Sequence, residues 1–209
     1  MTLATVIMAA GHGVRMKSAL PKPLHPLMGR PLAHYAVDLA AALGDPNPVF
    51  IVGHGAEQLQ ASLPATVRTV LQAQQLGTGH AVLQTAALLK GQAEQVLVWA
   101  VDMPLLTAET LQHLVQLQQA ETAALVMTSI VADDPWGFGR IVRGPDGRPQ
   151  AIVEEAVATP EQRQIRELNA GIYCFAADWL WENLPAVPLS PKGEYYLTDL
   201  LALAVAQGQ

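Results

Sequence analysis

One cysteine, Cys174, stands alone among 209 residues, so no disulfide can form within the chain. It lies in the apolar run GIYCFAA (171–177), where a small buried hydrophobe is the expected role rather than a nucleophile. Charge is scarce too: 14% of residues are Asp, Glu, Lys or Arg, and the formal net charge is −6. No dense run of Lys or Arg occurs, which argues against a nucleic-acid surface, because binding the phosphate backbone needs clustered positive charge. The apolar run Leu200–Val205 is too short to span a bilayer. Residues 1–10 lack the basic start and long apolar segment of a secretory signal, so a cytoplasmic location without membrane insertion is expected. Internal repeats, heptads and low-complexity tracts are missing as well. What is present is apolar mass. At 51% hydrophobic the chain supports a large core, and the whole span 1–209 is expected to form one α/β domain.

The pattern along the chain alternates. Strands are predicted at Ala4–Ala9, Pro48–Val52, Thr66–Leu71, Gln95–Val101, Ala123–Val131 and Leu168–Phe175. Helices are predicted at Pro31–Leu43, Glu57–Leu63, Gly79–Leu89, after the N-cap Thr107, from Thr159, and at Tyr195–Gln207. Between Gly137 and Glu154 the turn Pro145-Asp-Gly-Arg148 predicts a β-hairpin folded over the sheet. The βαβ order implies a mostly parallel sheet covered by helices, with ligands beyond the carboxyl ends of its strands.

Three segments carry chemistry in their own right. The first strand runs into Met8-Ala-Ala-Gly-His-Gly-Val-Arg-Met16, followed by Lys17 and Pro21-Lys22. Glycines there let backbone N–H groups approach a phosphate, and Arg15 and Lys22 supply a planar fork and a movable point charge. The loop fits neither G-x-G-x-x-G, since Met16 takes the third glycine's place, nor the Walker pattern. Gln72-Ala-Gln-Gln-Leu-Gly-Thr-Gly-His-Ala81 places glycines and Thr78 at a helix N-terminus, and the Gln72 amide offers a base edge both a donor and an acceptor. Asp102, at the end of an apolar strand, is placed either to hold Mg²⁺ or to cap a turn. No catalytic role falls to the histidines: His12 is expected to be solvent-exposed, and His25 and His80 to pack or hydrogen-bond locally.

The first loop resembles the L-A-A-G-x-G-T-R-M…P-K signature of sugar-phosphate nucleotidyltransferases, with Val14 in place of the threonine. The second closely resembles the Q-x-x-Q-L-G-T-G-H-A element of bacterial N-acetylglucosamine-1-phosphate uridyltransferases, the first half of the bifunctional GlmU family. In order along the chain follow Val101-Asp-Met-Pro104, similar to G-D-x-P, then Asp133–Ile141 (DDPWGFGRI), Ile152-Val-Glu154, Glu167–Tyr173 (ELNAGIY) and Gly193–Asp199 (GEYYLTD). The resemblance spans nearly the whole chain. It implies a Rossmann-like nucleotidyltransferase (GT-A-like) fold, a mostly parallel mixed sheet flanked by helices with a small β-hairpin lobe over the sugar site. It also implies synthesis of UDP-N-acetylglucosamine and pyrophosphate from UTP and N-acetylglucosamine-1-phosphate, toward cell-wall (peptidoglycan) precursors.

Carried over position by position, the resemblance implies that Arg15 and Lys22 are catalytic and that Asp102 is the Mg²⁺ ligand. Met8, Ala9, Ala10, Gly11, Gln72, Gly77 and Thr78 would bind the nucleotide, and Gly139, Glu154 and Asn169 the sugar. GEYYLTD would pack the closing helix and shape the sugar pocket wall. Val101, replacing a glycine, is expected to crowd the ribose, and Ala156-Val157 replace a lysine and an acid, removing a charged contact. The family's second metal ligand, an asparagine, and its hexapeptide-repeat β-helix with acetyltransferase activity are expected to lie outside this chain. Oligomers are expected only with that β-helix. Two other readings stand beside this one: the same reaction with another sugar-1-phosphate or base, and a non-catalytic sugar-nucleotide binder.

Overall fold

The computed structural model describes residues 2–209. Its strands are β1 (Leu3–Met8), β2 (Pro26–Leu27), β3 (Arg30–Pro31), β4 (Val49–Val52), β5 (Arg68–Leu71), β6 (Gln95–Ala100), β7 (Leu125–Val131), β8 (Arg140–Arg143), β9 (Pro149–Val153) and β10 (Glu167–Ala176). Its helices are α1 (Leu32–Ala42), α2 (Ala56–Ser62), α3 (Thr78–Leu83), α4 (Ala86–Leu89), α5 (Ala108–Glu121), α6 (Ala177–Asn183) and α7 (Asp199–Ala206). Eight strands form one mixed sheet in the order β5-β4-β1-β6-β10-β8-β9, with β7 also paired to β10, while β2 and β3 make a separate small ribbon. β5, β4, β1 and β6 pair in parallel. β10 runs antiparallel to β6, β7 and β8, and β9 antiparallel to β8, so only β10 and β9 oppose the common direction.

Side-chain alternation splits the core into two layers. Val6, Val49, Ile51, Val96, Val98 and Phe175 face one side, against Leu180, Leu184, Leu200 and Leu201 of the C-terminal helical segments. Their neighbours Ile7, Phe50, Val52, Leu97, Trp99 and Cys174 face the other, against Ala33, Ala36 and Ala40 of α1 and Leu111 and Leu114 of α5. This period of two, with both faces buried, is what a helix-covered parallel sheet demands. Cys174 is fully buried, and burial pushes its thiol up to about 12, the inert state expected of it.

The helix after Thr107 forms as predicted, with the Thr107 hydroxyl oxygen accepting the Thr110 N–H at 3.3 Å. The hairpin forms as β8 and β9 but does not fold over the sheet as expected: β8 pairs with β10, so the hairpin extends the sheet itself. Three helix expectations need correction. The run 79–89 is two helices, broken where the buried Thr85 hydroxyl donates to the Val82 carbonyl at 2.7 Å, a side-chain bond that competes with the helical ladder. At Thr159 the cap forms reciprocally, Gln162 N–H to Thr159 Oγ1 at 3.2 Å and Thr159 N–H to Gln162 Oε1 at 2.9 Å. Yet only a single 3₁₀ turn follows (Gln162–Gln164), because the polar residues behind it offer no apolar face to bury.

The closing helix begins at Asp199, not Tyr195, because residues 195–197 spend their backbone on the 76–79 loop. Tyr195 N–H donates to the Leu76 carbonyl at 2.8 Å, Gly79 N–H donates to the Tyr195 carbonyl at 2.8 Å, and Leu197 N–H donates to Thr78 Oγ1 at 2.9 Å. α6 escaped the sequence reading because Phe175-Ala-Ala177 continues the apolar strand pattern without a stop signal, although Ala177, Leu180 and Trp181 bury one face at i, i+3 and i+4.

Close approach of the closing segment explains Gly77. Its φ is +97°, and a Cβ there would lie 2.5 Å from the Tyr195 carbonyl oxygen. Gly77→Ala is therefore expected to cost about 2 kcal/mol or more, combining backbone strain with displacement of residues 194–197. Urea unfolding measures it, and an unchanged midpoint would show that the segment does not lie across Gly77.

Candidate active site

β1 and β6 are adjacent and parallel, so the loops that leave their carboxyl ends share one edge of the sheet. Val101 N–H donates to the Met8 carbonyl at 3.1 Å and holds the two loops side by side. Between them opens a cavity of about 400 Å³. Ten of the thirteen residues singled out from the sequence line it: Met8, Ala9, Ala10, Gly11, Lys22, Gln72, Gly77, Thr78, Asp102 and Glu154.

The loop after β1 passes through two 3₁₀ turns, Val14–Met16 and Lys22–Leu24, which return the chain to the cavity at Lys22. Lys22 Nζ forms an ion pair with Asp102, both side chains about one-third exposed. A cation and an acid meeting at the mouth of a glycine-bearing loop form a charge site that phosphate oxygens can enter, with the lysine free to follow them. Arg15 stands outside the cavity lining, on the exposed first turn, with no ion pair among the described residues.

The side of the cavity beyond β5 is built by the 72–78 loop. Gln72 is 4% exposed, and its Nε2 donates to the Gly77 carbonyl and to His80 Nδ1, both at 3.1 Å. The amide expected to offer donor and acceptor alike has its donors engaged by the protein, which leaves Oε1 for a ligand N–H. Gln75, not singled out beforehand, lines the cavity and donates to the Gln72 carbonyl at 3.3 Å and to the Ala10 carbonyl at 3.5 Å. It joins the 72–78 loop to the phosphate end. Its signal was the second glutamine of Q-x-x-Q. Val101 lines the cavity and, at 3% exposure, also packs into the core with Trp99 and Leu111.

The side beyond β9, opposite the 72–78 loop, is carboxylate chemistry. Glu154, just past β9, lines the cavity and accepts a hydrogen bond from Thr198 Oγ1 at 3.2 Å. Burial raises its pKa above the ordinary 4.5, Thr198 opposes that shift, and the nearby Asp199 and Glu194 charges add to it. Glu155 pairs with the buried Arg140 at 2.6 Å and is held below the usual carboxylate range.

Gly139 and Asn169 stand outside the cavity lining, behind Glu154. A Cβ on Gly139 would meet the Glu154 oxygens at 3.4 Å, and the Gly139 carbonyl accepts the Asn169 N–H at 2.8 Å. The Asn169 side chain lies in the β10 bulge, its Oδ1 accepting Gly171 N–H at 3.0 Å and Tyr173 O–H at 2.9 Å. Glu194 and Tyr196 complete one wall, so GEYYLTD borders the cavity as well as leading into α7.

The Glu154–Thr198 contact has a pH signature. A folded-state pKa above the unfolded value means the folded chain holds the extra proton between the two, so this carboxyl lowers stability as pH climbs through that window. Thr198→Val is expected to raise the Glu154 pKa further and Thr198→Ser to restore it. Carboxyl-carbon NMR titration reads both, and coincident curves for wild type and Thr198→Val would show that the hydroxyl does not hold the carboxylate.

Among known proteins, the bifunctional protein GlmU of Pelotomaculum thermopropionicum is 45% identical over 209 residues, covering 100% of this chain and 46% of that protein. The bifunctional protein GlmU of Marinobacter nauticus is 47% identical over 208 residues, covering 99% of this chain and 45% of that one. The chain thus spans a little under half the length of these curated relatives. A crystal structure of UDP-glucose pyrophosphorylase complexed with UDP-glucose superposes with a TM-score of 0.78 over 100% of this chain and 88% of the other, at 21% identity, a likeness of fold. The family model of the MobA-like NTP transferase domain matches residues 5–177. That span holds the glycine-bearing loop with Lys22, Gln72, Asp102 and Glu154, and the chain belongs to the MobA-like NTP transferase domain family.

Proposed function

We propose that this chain transfers a uridylyl group from UTP to N-acetylglucosamine-1-phosphate, giving UDP-N-acetylglucosamine and pyrophosphate in the cytoplasm, as a supply of cell-wall precursor. The observation that carries the reading is that the Lys22–Asp102 pair, the Gln72 amide and the Glu154 carboxylate line one cavity. The whole-chain similarity to proteins named GlmU supports the choice of substrates.

In the reaction, a phosphate oxygen of the sugar phosphate attacks the α-phosphorus of UTP, and the bond to the β-phosphate oxygen breaks as pyrophosphate leaves. No covalent enzyme intermediate is needed, so the protein contributes position and charge. Met8–Gly11 line the phosphate end, and the backbone N–H groups of that loop approach the phosphates. Lys22 shifts from Asp102 onto them as negative charge builds, and Arg15 reaches in from its exposed turn with a planar fork. Asp102 would hold Mg²⁺; one exposed carboxylate beside an open phosphate site suits an ion that keeps several waters and takes substrate oxygens, and the ion would add charge neutralisation. Gln72 Oε1 accepts an imide N–H of the kind uracil carries, with Gly77 and Thr78 beside the base. Glu154 takes sugar hydroxyls, with Gly139 and Asn169 behind it. An unpaired buried carboxylate would be costly, so analogues lacking those hydroxyls are disfavoured.

Arg15→Ala and Asp102→Ala are each expected to slow Mg²⁺-dependent pyrophosphate release from UTP and N-acetylglucosamine-1-phosphate by about a hundredfold or more. Near wild-type rates in both would sink the proposal. A higher rate with another nucleotide or sugar-1-phosphate would keep the reaction class and replace the substrates.

A further inference from the structure

We propose that His80 is a positioning residue for base choice. Its ring fixes the polarity of the Gln72 amide, so that the site takes a base presenting an N–H and rejects one presenting a bare ring nitrogen. The inference deepens the uridylyl-transfer proposal and rests on it for the identity of the base.

A row of polar groups leads from the cavity lining into α3 and just past it. Gln72 Nε2 is 3.1 Å from the Gly77 carbonyl oxygen and 3.1 Å from His80 Nδ1. On the other side of the ring, Gln84 Nε2 is 3.2 Å from His80 Nε2 and 3.0 Å from the His80 carbonyl oxygen. Residues 80 and 84 are four apart on a helical backbone, which puts the second amide against the ring.

These contacts ask for one acceptor too many. Both carbonyls only accept, so each amide turns its nitrogen inward and offers an N–H to the ring. A neutral imidazole has one lone pair and one N–H, so it accepts from one amide and donates to the other. One amide therefore faces the ring with its oxygen and gives up its carbonyl. Burial decides which. Gln72 is 4% exposed, and turning it would break its bond to Gly77 where water offers little replacement. Gln84 is half-buried, and water can take over its bond to the His80 carbonyl. The amide that turns is Gln84. The ring then carries its proton on Nε2, donates it to Gln84 Oε1, and keeps Nδ1 bare for the Gln72 N–H.

With both Nε2 hydrogens engaged, Gln72 brings only Oε1 to the cavity lining. That oxygen accepts the ring N–H of uracil, whereas the bare ring nitrogen of cytosine would meet it lone pair to lone pair. In the opposite tautomer Gln72 would turn over, present Nε2, and reverse the preference. His80 itself stands outside the cavity lining and acts through Gln72.

Substitution at position 84 biases the ring from outside the cavity. Gln84→Lys offers only donors and favours a proton on Nδ1, while Gln84→Glu offers only acceptors and favours the proton on Nε2. Nitrogen-15 NMR of the nucleotide-free full chain near pH 8.5, where an ordinary imidazole is neutral, reads the tautomer. The His80 signals are identified by their loss in His80→Asn. Wild type and Gln84→Glu are expected to show protonated Nε2 and bare Nδ1, and Gln84→Lys the reverse. In calorimetric titrations with UTP and with CTP, the UTP-to-CTP affinity ratio is expected to fall about tenfold in Gln84→Lys and to hold in Gln84→Glu. A proton on Nδ1 in wild type overturns the inference. So does an unchanged ratio in Gln84→Lys, or an equal loss of both nucleotides in both variants, which would mark damage to α3. A ratio that shifts as expected, with no UDP-sugar formed by wild type, would leave His80 its role and remove uridylyl transfer alone.

Discussion

Residues 195–197 are hydrogen-bonded across the loop at Leu76–Gly79, and the arrangement of the site depends on this contact. The bond from Leu197 N–H to Thr78 Oγ1 joins positions 119 residues apart. Two further bonds tie Tyr195 to Leu76 and Gly79. The same segment then delivers Thr198 to Glu154. One short stretch near the C-terminus thus connects the 72–78 loop to the Glu154 carboxylate. Glycine at 77 is what lets the two backbones lie this close.

From that frame the chemistry divides along the cavity by charge. The phosphate end is electropositive, with Asp102 partly offsetting Lys22. The other end is acidic, and burial together with Glu194 and Asp199 makes the Glu154 charge costly until a hydroxyl donor supports it. Thr198 supplies such support from the protein side, and a polyhydroxylated ligand supplies it from the other. In the proposed reaction the order of the strand ends sets the direction in which a sugar nucleotide fits: base at the 72–78 loop beyond β5, diphosphate at the Lys22–Asp102 pair beyond β1 and β6, and sugar at Glu154 beyond β9.

Much of this was legible from residues close together in sequence. Alternating Val6/Ile7, Val96/Leu97 and Phe50/Ile51 announce a two-faced sheet, and contiguous loops after β1 and β6 announce Lys22 and Asp102. The misses share a physical cause, namely that tertiary contacts decide what local pattern leaves open. Thr159 has a sound cap yet no apolar face behind it, so no α-helix grows. Tyr195 has helical neighbours yet spends its backbone on the Leu76 loop. Gln72 lines the cavity, but its donors are engaged by Gly77 and His80, which pattern alone does not reveal. Val101 both packs into the core beside Trp99 and lines the cavity, a double placement that pattern alone does not reveal.

The most direct measurement is a crystal structure of the chain with UDP-N-acetylglucosamine and Mg²⁺. The expected result is the diphosphate between the Gly11 loop and Lys22, the uracil N–H on Gln72 Oε1, and sugar hydroxyls on Glu154. A base bound away from residues 72–78, a sugar away from Glu154, or an empty cavity at saturating ligand would contradict uridylyl transfer at this site.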